Sequence, residues 1–214
     1  MITSWTKWME KKISNSNFLI GLYENYYRKI VKDEVKLAEM TNKDKVLCIG
    51  GGSIPCTALQ IANLTGAEVH VIDIDRKAVN NAKNIIRKMG LGNKIYVTEA
   101  KGEDIDVGSY NVIHIALQVT PKERVVEHIW SKSTEGTRIV VRLPKKSLKC
   151  FYSNLSDEFL SQRKPSIEGC CLQNRCNTMK EILLMVKGKE DTIYEEIPTV
   201  PFRGNRISTH SSIL

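Results

Sequence analysis

The 214-residue sequence lacks a run of about 18 consecutive apolar residues, the length that a membrane-spanning helix needs. Its first 16 residues contain lysines, but no apolar block follows them as it would in a secretory signal. We therefore expect a cytoplasmic protein that does not contact membranes.

Cysteine is present but not in a pattern that suggests a disulfide framework. Two of the six cysteines, Cys48 and Cys56, flank a glycine-rich stretch, and the others lie late in the chain (Cys150, Cys170, Cys171 and Cys176). No standard zinc-binding spacing occurs among the late cysteines, and the four histidines are scattered. The sequence predicts reduced thiols and no metal site.

The sequence also lacks a block of five like charges. The net charge of +8 is consistent with an anionic partner such as RNA, but the 32 basic residues are interspersed with 24 acidic ones. The Asn-Pro-Pro-Tyr type of motif found in enzymes that methylate base amines is absent, and residues 116–119 take its place. Nucleic-acid binding is left open but is not favoured.

The most informative stretch is residues 45–55, where the apolar run Val46–Ile49 is followed by three consecutive glycines. A segment with helical spacing, 57–64, comes next, and a second apolar run, 69–72, ends in Asp73. This order of strand, glycine loop, helix, strand and acid is the plan of a nucleotide-binding βαβ unit.

The rest of the chain continues the alternation of strands and helices. Apolar patterns predict helices over 77–89 and 122–130, with partial helix over 147–161, and strands over 95–98, 112–117, 138–143 and 179–186. We predict a doubly wound, mostly parallel Rossmann-like α/β sheet whose last strands enter antiparallel at one edge. The expected organisation is an N-terminal helical extension or lid (1–44), the nucleotide-binding domain (45–188) and a polar tail (189–214).

The glycine spacing distinguishes between two cofactor classes. Dinucleotide sites use Gly-x-Gly-x-x-Gly, whereas Gly50, Gly51 and Gly52 are contiguous and Pro55 occupies the place of the third glycine. This arrangement favours a cofactor without phosphates, such as S-adenosylmethionine.

Residues 45 to about 187 resemble the class I S-adenosylmethionine-dependent methyltransferases, and more narrowly the nicotianamine synthase-like branch. The segments that carry the narrower resemblance are 49–57, 71–75, 116–125 and 137–142. The resemblance implies that Gly50, Gly51 and Gly52 pass under the methionine part of the cofactor, that Asp73 holds the ribose hydroxyls and that Ile74 lies against the adenine. It also implies an acid for the adenine amine, for which Glu103 or Glu99 is available. Gln118, just past the fourth strand, is a further candidate for contact with the methionine or the acceptor.

The resemblance leaves the transferred group open. Nicotianamine synthases have a long helical domain before the glycine loop, and only about forty residues stand there in this chain. On this ground the expected activity is methyl transfer to a small molecule, with aminocarboxypropyl transfer as the first alternative. A non-catalytic cofactor-binding module and an RNA methyltransferase are further alternatives, and a homodimer is left open.

Candidate catalytic residues follow from position. His114 interrupts the fourth strand near its carboxyl end, where ligands of parallel sheets bind, and is the leading candidate for a general base. Tyr23 and Glu24, in the N-terminal helix, are candidates for a lid over the substrate. Arg142 ends the fifth strand and is interpreted either as a group that binds an acceptor carboxylate or as a surface arginine.

Overall fold

The computed structural model describes the backbone of residues 17–163, 166–172 and 178–188, and the side chains of these residues from Tyr27 onward. The elements are α1 (Asn17–Leu37), β1 (Lys45–Ile49), α2 (Cys56–Thr65), β2 (Glu68–Asp73), α3 (Arg76–Lys88), β3 (Ile95–Glu99), β4 (Val112–Ile115), α4 (Lys122–Lys132), β5 (Arg138–Pro144), a 3₁₀ turn (Lys146–Leu148), α5 (Asp157–Gln162), β6 (Ile167–Leu172) and β7 (Met179–Val186). The expected polar tail, 189–214, lies outside the described residues.

The strands form one seven-stranded sheet in the order β3-β2-β1-β4-β5-β7-β6. The pairs among β1 to β5 are parallel, whereas β7 runs antiparallel to both β5 and β6. This topology confirms the doubly wound, mostly parallel fold and the antiparallel edge. It also places the carboxyl ends of β1, β2 and β4 side by side at one end of the sheet.

The core has two halves, one on each face of the sheet. Neighbouring side chains on a strand point to opposite faces. Val46 and Cys48 therefore pack with helices α1, α2 and α3, whereas Leu47 and Ile49 pack with α4 and α5. Helix α1 belongs to the first half, because its residues Ile30 and Val31 are buried there. No helix in the described part of the chain is long and apolar enough to cross a membrane.

Two predicted helix ends have the expected capping. Asp75 is the N-cap of α3, and its Oδ1 accepts a hydrogen bond from the N–H of Lys77 at 2.9 Å. Gly90 follows the last turn of the same helix with a φ of 68°, as a glycine after a helix C-cap commonly does.

Three local predictions differ from the structure. Strand β4 ends at Ile115 rather than at residue 117, and the partial helix predicted over 147–161 is reduced to the 3₁₀ turn and α5. Strand β6 was not predicted as a strand. Its residues alternate between partial burial and exposure at the edge of the sheet, and its apolar pattern is interrupted by Gly169.

Candidate active site

The glycine loop lies directly on β2. The N–H groups of Gly50 and Gly51 both donate to the carbonyl oxygen of Ile72, at 2.9 and 3.2 Å. A Cβ on Gly51 would overlap with Cγ1 of Val71, and Gly50 has a φ of +83°, a conformation that favours glycine. Glycine therefore lets the loop pack closely on its neighbours, and Gly50, Gly51 and Gly52 line a cavity at the carboxyl end of the sheet.

Asp73, at the end of β2, braces this loop. Its Oδ2 accepts a hydrogen bond from the N–H of Gly52 at 2.8 Å, and its Oδ1 accepts one from the N–H of Asp75 at 2.9 Å. A carboxylate oxygen has a second lone pair, so both oxygens of Asp73 retain capacity for another donor. Asp73 thus holds the loop and can still bind a pair of hydroxyl groups.

A cavity of about 570 Å³ opens beside Asp73. Its wall includes Ile74, which is 69% exposed, together with Glu103 from the turn after β3 and Gln118 from the segment after β4. An exposed apolar side chain is a suitable contact for a flat base, and a carboxylate beside it can accept hydrogen bonds from a pair of sugar hydroxyls. The cavity therefore has the composition expected of a nucleoside site.

A second, smaller cavity of about 40 Å³ lies on the α1 side of the glycine loop. Its lining includes Tyr27 from α1, His114 from β4 and Arg142 from β5. The two cavities share four lining residues: Ile49, Gly50, Gly52 and Gln118. The glycine loop and Gln118 thus form the boundary at which both cavities meet.

A buried cluster of charged and polar groups lies behind the smaller cavity. Glu34 of α1 is fully buried, and its carboxylate accepts two hydrogen bonds from Arg142, from Nε at 2.6 Å and from Nη2 at 2.8 Å. His114, 1% exposed, lies with Nε2 3.1 Å from Oε1 of Glu34. Burial opposes ionisation of Glu34, but Arg142 and His114 more than offset it and lower the pKa of the carboxyl to about 2.

The same cluster determines the protonation state and the tautomer of His114. Its pKa is lowered, mainly by burial and also by the charge of Arg142, and Glu34 offsets this only in part. The ring is therefore neutral at neutral pH, and because the Glu34 carboxylate can only accept, the ring proton lies on Nε2. Nδ1 has no hydrogen-bond partner among the described residues, so a lone pair remains on that atom.

Arg142 is neither a surface arginine nor a free binding group for an acceptor carboxylate, the two interpretations that its sequence position allowed. It is 5% exposed rather than on the surface, and its Nε and Nη2 are already bound to Glu34 instead of being free for an acceptor carboxylate. Its guanidinium carbon lies 5.4 Å from the centre of the Tyr27 ring, a distance typical of a cation–π contact. Arg142 thus connects α1 to the sheet.

The structure places each sequence-predicted cofactor residue in the wall of at least one of the two cavities: Gly50, Gly51, Gly52, Asp73, Ile74, Glu103 and Gln118. Glu99, the alternative to Glu103, is the last residue of β3 and does not line the larger cavity. The lid candidates Tyr23 and Glu24 lie outside the residues whose side chains are described. The roles of all these residues stay predictions.

Sequence analysis missed Glu34. Glu34 lies four residues after Ile30 and three before Leu37 on the apolar face of α1. A charged residue on an apolar helix face is a signal of a buried partner, and it was available in the sequence.

Residues 18–166 match the family model described as nicotianamine synthase protein. The chain belongs to the nicotianamine synthase family. This finding confirms the narrower of the two resemblances, because the matched residues include the glycine loop and all five parallel strands.

Two curated relatives have the same name. L-histidine 2-aminobutanoyltransferase of Yersinia pestis is 28% identical over 120 residues, which are 56% of this chain and 45% of that protein. L-histidine 2-aminobutanoyltransferase of Pseudomonas aeruginosa (strain UCBPP-PA14) is 32% identical over 72 residues, which are 34% of this chain and 27% of that protein. The matched part of the chain therefore spans about half or less of the length of these relatives.

Solved structures confirm the fold of this nicotianamine synthase family member. A point mutant of MtNAS superimposes with a TM-score of 0.70 at 21% identity, over 83% of this chain and 68% of that chain. MtNAS in complex with MTA and tNA gives a TM-score of 0.68 over the same share of both chains, also at 21% identity.

Proposed function

We propose that the chain is an S-adenosylmethionine-dependent transferase that moves the aminocarboxypropyl group to a nitrogen atom of a small-molecule acceptor. The observation that carries this proposal is the pair of cavities that meet along Gly50, Gly52 and Gln118, with Asp73 at the end of β2. The adenosine part fits the larger cavity, and the methionine part then lies over the glycine loop.

The side chains of the larger cavity suit an adenosine. Each Asp73 oxygen has one backbone donor and one remaining lone pair, so the carboxylate can accept both ribose hydroxyls. The exposed side chain of Ile74 offers an apolar surface for the base, and Glu103 provides an acceptor for the adenine amine. Glycine at position 51 lets the loop pack closely on Val71, and Gly50, Gly51 and Gly52 line the smaller cavity, over which the methionine part is proposed to lie.

When bound, the sulfonium supplies an electrophilic carbon: a nitrogen–carbon bond forms, the carbon–sulfur bond breaks, and its electron pair stays on the sulfur of a neutral thioether. The task of the chain is to align the acceptor with one of the carbons on sulfur and to exclude water. Transfer of the aminocarboxypropyl carbon leaves methylthioadenosine, whereas transfer of the methyl carbon leaves S-adenosylhomocysteine.

Sequence analysis favours methyl transfer. We propose aminocarboxypropyl transfer instead, because both curated relatives are named for transfer of an aminobutanoyl group and the chain belongs to the nicotianamine synthase family. The name of the relatives also makes L-histidine the first acceptor to test.

His114 is the side chain we propose as the acceptor of the proton that the attacking nitrogen loses. It lines the smaller cavity, and its neutral ring has a lone pair on Nδ1. The imidazolium that results would be stabilised by the carboxylate of Glu34, 3.1 Å from Nε2. This arrangement is that of an acid orienting a histidine base, as in hydrolase triads.

Calorimetric titration with S-adenosylmethionine tests the binding part of the proposal. We expect wild-type protein to bind, and Asp73→Asn to bind about 10- to 100-fold more weakly because a charge-assisted hydrogen bond is lost. Asp104→Asn, at an exposed aspartate outside both cavities, is the matched control and should bind like wild type. Failure of the wild-type protein to bind would refute the proposed function.

A further inference from the structure

The segment that follows β4, residues 116–121, controls the shape of the site, and we call it the β4–α4 loop. Ala116 lines the smaller cavity, Val119 lines the larger one, and Gln118 lines both. The loop also packs on the glycine loop, because Cγ2 of Val119 and Cβ of Ala116 lie 2.9 and 3.3 Å from the place of a Cβ on Gly50. A shift of the β4–α4 loop would therefore deform the surface on which the cofactor is proposed to lie.

The side chain of Lys122 holds this loop from behind. Lys122 begins α4, is 0% exposed, and donates from Nζ to the carbonyl oxygens of Ala116 at 2.7 Å and Leu117 at 3.2 Å. Its own backbone N–H donates to Oγ of Ser153 at 2.8 Å, which fixes the start of the helix. The amine thus reaches back along the chain to the two peptide groups just before Gln118.

Packing alone does not explain an amine at this position. Burying an ammonium group costs several kcal/mol unless a carboxylate compensates it, and Nζ has no acidic partner among the described side chains. A methionine has a side chain of similar length without that cost. The amine is instead explained by its two acceptors, because each of the two carbonyl oxygens would lose this hydrogen-bond donor if the amine were removed.

We propose that Lys122 is a positioning residue of the cofactor site, which by binding the carbonyl groups of Ala116 and Leu117 fixes Ala116 and Val119 against Gly50 and Gln118 at the boundary between the two cavities. This inference rests on the proposed function and adds to it a residue that lines neither cavity. Lys122 acts through the β4–α4 loop and does not touch the cofactor itself. Its removal should therefore weaken cofactor binding by loosening one loop while the rest of the sheet remains intact.

The test compares Lys122→Met with Lys132→Met, an exposed lysine in the last turn of the same helix. Amide hydrogen exchange without cofactor should become at least tenfold faster at residues 116–119 in Lys122→Met, with β1 and β5 unchanged. The dissociation constant for S-adenosylmethionine, and in parallel for methylthioadenosine, should rise at least tenfold. Lys132→Met should match wild type in both measurements.

Wild-type exchange and wild-type affinity in Lys122→Met would overturn the proposal. Faster exchange spread over the whole sheet, with unchanged affinity of the folded protein, would also overturn it, because the role would then be stability alone. If Lys122→Met does not fold, Lys122→Gln, which keeps amide donors on a shorter side chain, should show the same loop-local exchange at smaller amplitude. If wild-type protein binds neither ligand, the proposed function fails, and the exchange measurement still decides whether Lys122 positions the loop.

Discussion

Two charged side chains are buried on opposite sides of the candidate site, and their surroundings differ. Glu34 faces a guanidinium and an imidazole, which lower the pKa of its carboxyl to about 2 in spite of burial. Among the described residues, Nζ of Lys122 has only carbonyl oxygens as partners, and burial, with a further contribution from the charge of Arg142, lowers its pKa to about 7. A buried charge with a counter-ion stays ionised, whereas one that is solvated only by dipoles moves toward its neutral form.

The two buried groups also hold different parts of the molecule together. The Glu34–Arg142 pair joins α1 to β5 and so closes one side of the smaller cavity. Lys122 joins α4 to the segment after β4 and so shapes the other side. The first is a link between distant parts of the chain, and the second is local.

Removing one member of the ion pair should have the largest effect on stability. Glu34→Gln leaves the Arg142 guanidinium buried without its counter-ion, at a cost of about 3–5 kcal/mol in the free energy of unfolding. Chemical denaturation measures it, and Glu127→Gln, at an exposed position of α4, is a control expected to stay within about 0.5 kcal/mol of wild type. The double variant Glu34→Leu with Arg142→Met should recover a large part of the loss. A double variant no more stable than Glu34→Gln would contradict the account of the pair.

The pH dependence of stability should reveal the lowered pKa of Lys122. Between pH 7 and 10 the unfolded lysine, with a pKa near 10.5, binds more protons than the folded one, with a pKa of about 7, so the wild-type protein should become more stable as pH rises. Relative to Lys122→Met, the gain should be about 3 kcal/mol over this interval. The measurement is the difference in unfolding free energy between the two proteins at each pH. A difference that does not change with pH would show that Lys122 remains charged in the fold.

A substitution in the glycine loop measures a purely steric effect on stability, because it changes no charge. Gly51→Ala places a methyl group against Val71 and should cost about 1–3 kcal/mol while weakening cofactor binding. Gly92→Ala is the matched control, because nothing lies within 4 Å of its Cβ position, and it should leave both quantities unchanged. Equal effects of the two substitutions would show that the close packing of the glycine loop on β2 is unimportant.

The smallest expected effect is the electrostatic coupling between Arg142 and Lys122. Arg142 contributes to the low pKa of Lys122, but burial contributes more. In the double variant Glu34→Leu with Arg142→Met, the stability gain attributed to Lys122 should therefore begin at a higher pH, shifted by less than about one unit. The pH profile of this variant with and without Lys122→Met measures the shift. A shift to lower pH would contradict the assigned direction.

The residues that local patterns describe well were predictable. Apolar runs indicated the five parallel strands, and the contiguous glycines followed by Asp73 at the end of the next strand indicated the cofactor class. The Glu34–Arg142 contact was not predictable in this way, because it joins residues 108 positions apart. Only the sheet order brings β5 beneath α1, and that order follows from the packing of the whole chain.

The role of Lys122 was hidden for a different reason. It stands at a helix start, where a lysine is ordinary, and its partners are carbonyl groups, which every residue has. Its place three residues before Val125 and four before Val126 put it on the buried face of α4, and this is the signal that the sequence contained.

Product analysis after incubation with S-adenosylmethionine and L-histidine tests the central claim most directly. The account predicts methylthioadenosine together with an acceptor that has gained the aminocarboxypropyl group, and less of both products from Asp73→Asn at subsaturating S-adenosylmethionine. S-adenosylhomocysteine with a methylated acceptor would contradict the assigned group and return methyl transfer to first place.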